Sequence, residues 1–177
     1  LVHLVTEYAK VAADLKWALV IAGAPGDSIE QVQAAIRNHE LTDRVFLPGF
    51  ISDSQRRSLY RDASAFVYPS RYEGFGLVVL EAMACGLPGS ASNNSSLPEA
   101  VGDAGILVDA SSEGHLAAAI KKLHDDPIER DQLIAKGYNH IKRFTWRDCA
   151  TQTYNVYESI AQGSSNTSPL QASSAID

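Results

Sequence analysis

Short apolar runs alternate with amphipathic segments along most of the chain. Four runs are rich in β-branched or aromatic residues and are bounded by turn-forming residues, which is typical of strands buried on both faces of a parallel sheet. These runs are LKWALVIAG (15–23), RVFLPGF (44–50), AFVYPS (65–70) and AGILVD (104–109).

The segments between and after these runs have the spacing of helices. Apolar residues recur three or four positions apart, and serine, aspartate or glycine marks several of the ends. Trp146, at the start of the last helix, is expected to anchor that helix in a core. The predicted helices cover 2–13, 28–36, 52–60, 77–85, 115–123, 128–141 and 146–160.

Strands and helices that alternate in this way predict an α/β fold with a doubly wound, Rossmann-like parallel sheet and right-handed crossovers. Ligands of such folds bind beyond the carboxyl ends of the strands, in the loops that lead into helices. The loop between the run at 65–70 and the helix at 77–85 is one of these loops. It is therefore a candidate binding site.

The predicted elements place one domain at residues 1–161. A polar, serine-rich tail follows at 162–177 and is expected to lack order. No strand precedes the first helix, so the chain is expected to be a fragment of a longer unit.

Composition and charge narrow the range of partners. The formal net charge is −6, which argues against nonspecific nucleic-acid binding and against an anionic membrane surface. The longest apolar stretches run to about ten residues, well short of the roughly 20 needed to cross a bilayer. Cys85 and Cys149 match no zinc or redox spacing and are expected to be buried, reduced thiols. These features predict a cytoplasmic protein without a signal peptide.

The segment SRYEGFGLVVLEAMACGLP (70–88) joins a glycine-rich turn to an apolar helix. Gly74 and Gly76 leave the backbone free to curl and let a ligand approach it closely. The helix that follows begins with unpaired N–H groups and a partial positive charge, which favour phosphate. Glu73 lies at the mouth of this turn, where a carboxylate suits sugar hydroxyls better than phosphate.

Glu81 lies further into the same helix, about 7–8 Å along the axis at 1.5 Å per residue. A nucleotide sugar has the matching order of groups: sugar hydroxyls, diphosphate and ribose hydroxyls. The residues leave a second interpretation open. Glycine-rich turns are common in α/β proteins, and an acidic residue near a helix N-terminus is favourable without a ligand.

The same residues resemble the signature of the group 1 glycosyl transferases. This is a large family of retaining enzymes with the two-domain GT-B fold, and it includes bacterial polysaccharide and mannosyl transferases. Its hallmark is two glutamates separated by seven residues, matched here by Glu73 and Glu81. The likeness covers about residues 1–160, with LVIAGAPGD, LTDRVFLPGF, LYRDASAFVYPS, SLPEAVGDAGILVD and FTWRDCA in the expected order.

The resemblance implies the C-terminal, donor-binding half of such an enzyme. Glu73 is the implied catalytic residue and contacts hydroxyls of the donor sugar, while Glu81 contacts the ribose. Backbone N–H groups of the turn face the sugar or the diphosphate. The implied donor-binding residues are Glu73, Gly74, Phe75, Gly76, Leu77 and Glu81, and the implied nucleobase-proximal residues are Gly49, Phe50 and Ile51.

The implied reaction moves a hexosyl group, mannose- or glucose-like, from a nucleotide-diphosphate sugar to an acceptor hydroxyl with retention of configuration. The implied process is synthesis of a bacterial surface polysaccharide such as lipopolysaccharide, with a glycan or lipid-linked acceptor as partner. No cofactor and no essential metal are expected. The sequence agrees, since it has no Asp-x-Asp and no histidine cluster that suggests metal ligands.

The family's N-terminal acceptor domain is expected to be absent from this chain. Basic residues that such enzymes place against the diphosphate, just before the first helix, are expected to be absent with it. The isolated chain should therefore bind donor weakly and should not turn over. Any peripheral contact with the inner face of the membrane is expected to involve that other half.

Two other functions stay open: a non-catalytic nucleotide-binding module, and a sugar-nucleotide epimerase of the GT-B shape. The pair Glu73 and Glu81 argues against the first, because a scaffold needs neither carboxylate. An epimerase would be expected to place catalytic acids and a histidine in these loops, and none is found there. A dinucleotide-dependent oxidoreductase is disfavoured because no G-x-G-x-x-G follows the LVIAG run.

One stretch departs from the family pattern. The family favours a β-branched pair after the proline at position 88, and this chain has PGSAS (88–92). Gly89 and Ser90 suit a buried central strand poorly and cost about 1 kcal/mol relative to β-branched residues. No function is assigned to this departure.

Overall fold

The computed structural model describes residues 1–162. Their backbone forms two compact units, one from Leu1 to Ile141 and one from Lys142 onward. The predicted tail, apart from Gln162, lies outside the described residues. The first unit contains α1 (Val2–Ala9), β1 (Leu19–Ala22), α2 (Ile29–Asn38), β2 (Val45–Gly49), α3 (Asp53–Asp62), β3 (Phe66–Tyr68), α4 (Leu77–Ala84), β4 (Gly89–Ser92), α5 (Leu97–Val101), β5 (Ile106–Val108), α6 (His115–Asp125) and α7 (Pro127–His140).

The five strands of this unit are paired in parallel and form two sheets. One sheet has the order β1–β2, with Leu19 opposite Val45. The other has the order β3–β4–β5, with Ser90 between Val67 and Ile106. The α/β class with parallel strands is thus confirmed. The strands are grouped as two plus three rather than in one continuous sheet.

The first apolar cluster packs α1 and α2 against β1 and β2. Val5 is fully buried, and Leu4, Tyr8 and Ile36 are nearly so. The first helix is shorter than predicted, because α1 ends at Ala9 and the next five residues form turns. The apolar positions that suggested a longer helix are still used, since those turn residues include buried members of the same cluster.

The second apolar cluster lies around α4, α5 and the three-stranded sheet. Close packing between two strands of that sheet accounts for Gly89. Gly89 begins β4, the middle strand of that sheet. A Cβ atom at this position would lie 2.6 Å from the carbonyl oxygen of Phe66, closer than any side chain tolerates. Ser90 and Ser92 are buried on the same strand, and their hydroxyls have no hydrogen-bond partner within the described residues.

A helix cap fixes the start of α3, the helix that precedes β3. Ser52 Oγ accepts the N–H of Gln55 at 3.3 Å, and Gln55 Oε1 accepts the N–H of Ser52 at 2.8 Å. This reciprocal capping box fixes the start of α3 at the predicted position. Ser28 occupies the N-cap position of α2, but its side chain makes no capping hydrogen bond within the described residues.

The second unit consists mainly of α8 (Trp146–Ala161). Thr145 caps this helix by accepting the N–H of Asp148 at 3.0 Å. Trp146 is 79% exposed, so the prediction that it anchors a core is wrong. Cys149 is also exposed, contrary to the prediction of a buried thiol, and Cys85 is partly buried. Among residues 1–162, none of the helices has the length and apolar character that a membrane span requires.

Candidate functional site

The residues between β3 and α4, Ser70–Gly76, are called the acidic turn here. The turn ends at Gly76, which has φ +100° and occupies the N-cap position of α4. A Cβ atom on Gly76 would lie 2.8 Å from Leu97 Cδ2, so both its backbone conformation and the packing require glycine. A Cβ atom on Gly74 would meet no atom of the described residues within 4 Å. Space is therefore open beside the turn.

Glu73 is held through one carboxylate oxygen. Tyr68 donates its hydroxyl hydrogen to Glu73 Oε1 at 2.5 Å, and Ser70 donates to the same oxygen at 2.8 Å. Burial raises the pKa of Tyr68, and the bond to Glu73 raises that pKa further, so the phenol stays a donor. The other oxygen, Oε2, has no partner among the described residues. It remains available to accept hydrogen bonds from a ligand.

The backbone of Glu73 is held by a second loop, residues 93–96 (NNSS), called the serine loop here. Ser95 Oγ accepts the N–H of Glu73 at 3.1 Å, and Ser96 Oγ donates to the Glu73 carbonyl oxygen at 3.0 Å. Asn94 Nδ2 donates to the carbonyl oxygen of Ser70 at 3.2 Å. The serine loop follows β4, the strand paired with β3, so the two loops leave the same edge of one sheet.

Glu81 lies on α4 and contacts α3. Its Oε2 is 3.3 Å from Arg56 Nε and accepts a hydrogen bond from the Tyr60 hydroxyl at 3.4 Å. Burial raises the pKa of Tyr60 to about 12, and the negative charge of Glu81 contributes to that shift. The Glu81 side chain is 41% exposed, so its carboxylate can contact a ligand while it also contacts Arg56.

The sequence singles out both glutamates as candidates but not the residues that hold them. Tyr68 and Ser70 stand at the end of a predicted strand, where side chains of a parallel sheet reach the ligand edge. The serine loop was visible as a polar Asn/Ser cluster after the run at 88–92. No local signal paired Arg56 or Tyr60 with Glu81.

The predicted nucleobase turn, Gly49–Ile51, lies at the carboxyl end of β2. Gly49 has φ +75°, and its carbonyl oxygen accepts the N–H of Gly23 at 2.9 Å, which joins the loops that follow β1 and β2. Phe50 is 81% exposed. Ile51 lines a cleft of about 440 Å³ between the β1–β2 sheet and α3. Since α3 begins just after this turn and carries Arg56, one short helix connects the turn with Glu81.

Metal ligands do not cluster in the described part of the chain. No group of three or more histidine, cysteine, aspartate or glutamate side chains within residues 1–162 is arranged to hold a metal ion.

These features define an α/β unit with parallel strands whose acidic strand-to-helix turn faces open space. The family model described as "Glycosyl transferases group 1" matches residues 1–140, and the chain belongs to that family. The O-antigen chain mannosyltransferase B of Escherichia coli is 37% identical over 144 residues, which cover 81% of this chain and 38% of the relative. The MMP alpha-(1->4)-mannosyltransferase of Mycolicibacterium hassiacum is 34% identical over 153 residues, 84% of this chain and 36% of the relative.

Solved structures show the same fold. A sucrose-phosphate synthase from Thermosynechococcus elongatus superimposes with a TM-score of 0.79 at 30% identity, covering 92% of this chain and 42% of that protein. Anabaena HepE, solved in complex with UDP-glucose, superimposes with a TM-score of 0.78 at 22% identity and supports the fold alone. This chain spans 38% and 36% of the length of the two mannosyltransferases that it resembles.

Proposed function

We propose that this chain carries the donor site of a hexosyltransferase that uses a nucleotide-diphosphate sugar. The observation that carries the proposal is the way in which the Glu73 carboxylate is held. Two hydroxyls hold one of its oxygens, the other oxygen has no partner within residues 1–162, and the space beside Gly74 is open. A carboxylate fixed in this way is suited to accept hydrogen bonds from sugar hydroxyls.

In the proposed complex the sugar lies at Glu73 and the diphosphate at the start of α4. No acidic residue occupies the first turn of α4, and its N-cap glycine offers no side chain to the N–H groups there. These N–H groups and the helix dipole favour a negative charge. Phe75, Gly76 and Leu77 would present their backbone to the sugar or the diphosphate.

The ribose is proposed to bind Glu81. One oxygen of Glu81 interacts with Arg56 and Tyr60, and no described residue bonds the other. Glu81 is thus arranged like Glu73, with one oxygen held by the protein and one available. The nucleobase is proposed to lie against Gly49, Phe50 and Ile51, where the exposed Phe50 ring offers a flat apolar surface.

The proposed reaction breaks the bond between the anomeric carbon and the diphosphate oxygen and forms a bond from that carbon to the acceptor oxygen. The diphosphate leaves with the bonding electrons, and the N-terminus of α4 stabilises its negative charge. The acceptor hydroxyl passes its proton to the leaving diphosphate oxygen, the anomeric configuration is retained, and no metal takes part. The names of the two mannosyltransferases favour a mannose-like sugar, and that of the O-antigen enzyme favours surface polysaccharide synthesis.

Calorimetric titration with UDP, GDP and ADP and with their hexose conjugates tests the proposal. We expect one nucleotide class to bind at about 0.1–1 mM, or roughly 4–5.5 kcal/mol. Glu81→Ala should abolish or strongly reduce that binding because it removes the ribose contact.

Asp43→Ala is the matched control, because it removes an exposed acidic side chain just before β2, at the opposite end of that strand from Gly49. Its titration should equal that of the unaltered chain. If Glu81→Ala also binds like the unaltered chain, the ribose assignment is wrong. If no nucleotide binds at millimolar concentration, the donor-site proposal for this chain is wrong.

A further inference from the structure

The backbone of Glu73 is fixed from outside its own loop. Both of its peptide groups are hydrogen-bonded to the serine loop, the N–H to Ser95 and the carbonyl oxygen to Ser96. With the side-chain bonds from Tyr68 and Ser70, every polar atom of Glu73 except Oε2 is held within the described structure. The direction in which Oε2 points therefore depends on the serine loop.

Ser95 adopts an unfavourable backbone conformation to make its contact. Its φ is +48°, in the left-handed region that favours glycine. A second left-handed residue that is not glycine, Glu40, has φ +56° and lies between α2 and β2, at the end of the strands opposite the acidic turn. Glycine at position 95 would remove the backbone strain. Only a residue with a side-chain acceptor can hold the Glu73 N–H.

The Ser95 hydroxyl both accepts and donates a hydrogen bond. It accepts the N–H of Glu73 at 3.1 Å and donates to Asn94 Oδ1 at 3.2 Å. Asn94 in turn donates through Nδ2 to the Ser70 carbonyl oxygen. The serine loop thus holds both ends of the segment from Ser70 to Glu73 by hydrogen bonds, and the residues that hold it, Asn94 and Ser95, are hydrogen-bonded to each other.

We propose that Ser95 and Ser96 are positioning residues for sugar recognition: they set the Glu73 carboxylate in the orientation that accepts sugar hydroxyls. This inference rests on the proposed donor site. It goes beyond that site by naming residues that touch no substrate yet determine how the sugar, and not the nucleotide, is bound.

The test separates sugar binding from nucleotide binding. Titrations compare the preferred nucleotide with its hexose conjugate, for the unaltered chain and for Ser95→Gly. Ser95→Gly should weaken binding of the conjugate about tenfold, as expected for a disturbed hydrogen bond to a charged group, and leave the nucleotide within about twofold. Thermal unfolding should be unchanged or shifted upward because the left-handed strain is relieved.

Ser96→Ala is the second variant, since it removes the donor to the carbonyl oxygen of Glu73. It should also weaken binding of the hexose conjugate and leave binding of the nucleotide within about twofold. Glu40→Gly is the matched control because it relieves the same type of backbone strain far from the acidic turn. It should bind both ligands as the unaltered chain does. Equal weakening of nucleotide and conjugate by Ser95→Gly, or no weakening of either, would overturn the inference.

Amide hydrogen exchange gives a readout that needs no ligand. The Glu73 amide should exchange about tenfold faster in Ser95→Gly, because its acceptor is lost, and at an unchanged rate in Glu40→Gly. Unchanged exchange at Glu73 in Ser95→Gly would refute the positioning role. If the unaltered chain binds no nucleotide sugar, the donor-site proposal fails, and the exchange rates still decide whether the serine loop holds Glu73.

Discussion

The hydroxyl of Tyr68 donates to Glu73 Oε1 at 2.5 Å, so the last residue of β3 holds the acidic side chain of the following turn. A strand residue has a well-defined position because its backbone is paired with β4. Burial and the contact with Glu73 both raise the pKa of Tyr68, which keeps its proton on the oxygen at neutral pH. The sheet itself therefore helps to orient the carboxylate.

Tyr68→Phe removes this donor and leaves the ring in place. Ser70 still donates to the same oxygen, so we expect the affinity for the nucleotide sugar to fall about tenfold, within the range for a hydrogen bond to a charged group. Binding of the free nucleotide should stay the same. Calorimetric titration of both ligands measures the difference.

Tyr72→Phe is the control for this prediction. Tyr72 belongs to the same turn, and its side chain is 80% exposed. Loss of its hydroxyl should affect neither ligand. If Tyr72→Phe and Tyr68→Phe give the same result, the bond from Tyr68 does not orient Glu73.

The two glycines of the acidic turn should respond differently to alanine. At Gly76 the added Cβ meets Leu97 and the backbone has positive φ, so Gly76→Ala should lower the free energy of unfolding by about 1–3 kcal/mol. At Gly74 the added Cβ has no neighbour within 4 Å among residues 1–162, so the free energy of unfolding should barely change. Chemical denaturation measures both values, and equal losses for the two variants would contradict the geometry.

Gly74→Ala also probes the ligand. Its methyl group would occupy the open space beside Glu73, where the proposal places the sugar. Binding of the nucleotide sugar should therefore weaken in a variant that folds normally. A titration equal to that of the unaltered chain would show that the sugar does not approach Gly74.

The order of most strands and helices could be predicted because buried parallel strands leave continuous apolar runs, each close to a glycine or proline. The exceptions are β4, whose sequence GSAS is not such a run, and the short helix α5. The four predicted runs contain β1, β2, β3 and β5, and their boundaries differ from those of the strands by a few residues. The division into two sheets could not be predicted in this way. Strand pairing depends on the positions of whole elements in space, and an apolar run shows only that a strand is buried.

The candidate site was predictable only in part. Glu73 and Glu81 stand out as candidates because they lie next to glycines and apolar residues in one continuous segment. Several of their partners come from distant segments: Ser95 is 22 residues from Glu73, and Tyr60 is 21 residues from Glu81. The error at Trp146 has a related cause, because helical periodicity shows which residues share a face but not whether that face is buried.

The unusual start of β4 gives opposite predictions for neighbouring residues. Gly89→Ala should destabilise the fold because the Phe66 carbonyl oxygen leaves no room for a methyl group. Ser90→Ala should raise the free energy of unfolding by about 1 kcal/mol, since it removes a buried hydroxyl that no described residue hydrogen-bonds. Urea denaturation of the two variants measures both changes in the free energy of unfolding. A stabilised Gly89→Ala would show that β3 and β4 can separate to accept a side chain.

Glu7 on α1 caps a different helix, α6. Its side chain is fully buried, and its Oε2 accepts the N–H of Ala117 at 3.3 Å in the first turn of α6. The N-cap residue Gly114 has no side chain to serve that role. Burial alone would raise the pKa of Glu7, but Lys10 and the N–H groups of Gly114 and Ala117 together lower it below its ordinary value of 4.5.

The lowered pKa predicts how stability depends on pH. The unfolded chain binds the Glu7 proton more readily than the folded chain, so the carboxylate stabilises the fold above about pH 4.5. This contribution is lost as the pH falls through the lower pKa of the folded state. Glu7→Gln should therefore reduce the free energy of unfolding at pH 7 by about 1–3 kcal/mol, the range for hydrogen bonds to a buried charged group. The reduction should shrink markedly at pH 3.

Urea denaturation of both proteins at pH 7 and pH 3 measures this difference. Glu113→Gln is the matched control, because Glu113 also accepts from Lys10, at 2.9 Å, but its side chain is 87% exposed. Solvent screens an exposed pair, so this variant should lose much less stability than Glu7→Gln at pH 7. If Glu7→Gln loses the same free energy at both pH values, the cost comes from the altered shape of the buried side chain, and the charge of Glu7 does not stabilise the junction of α1 and α6.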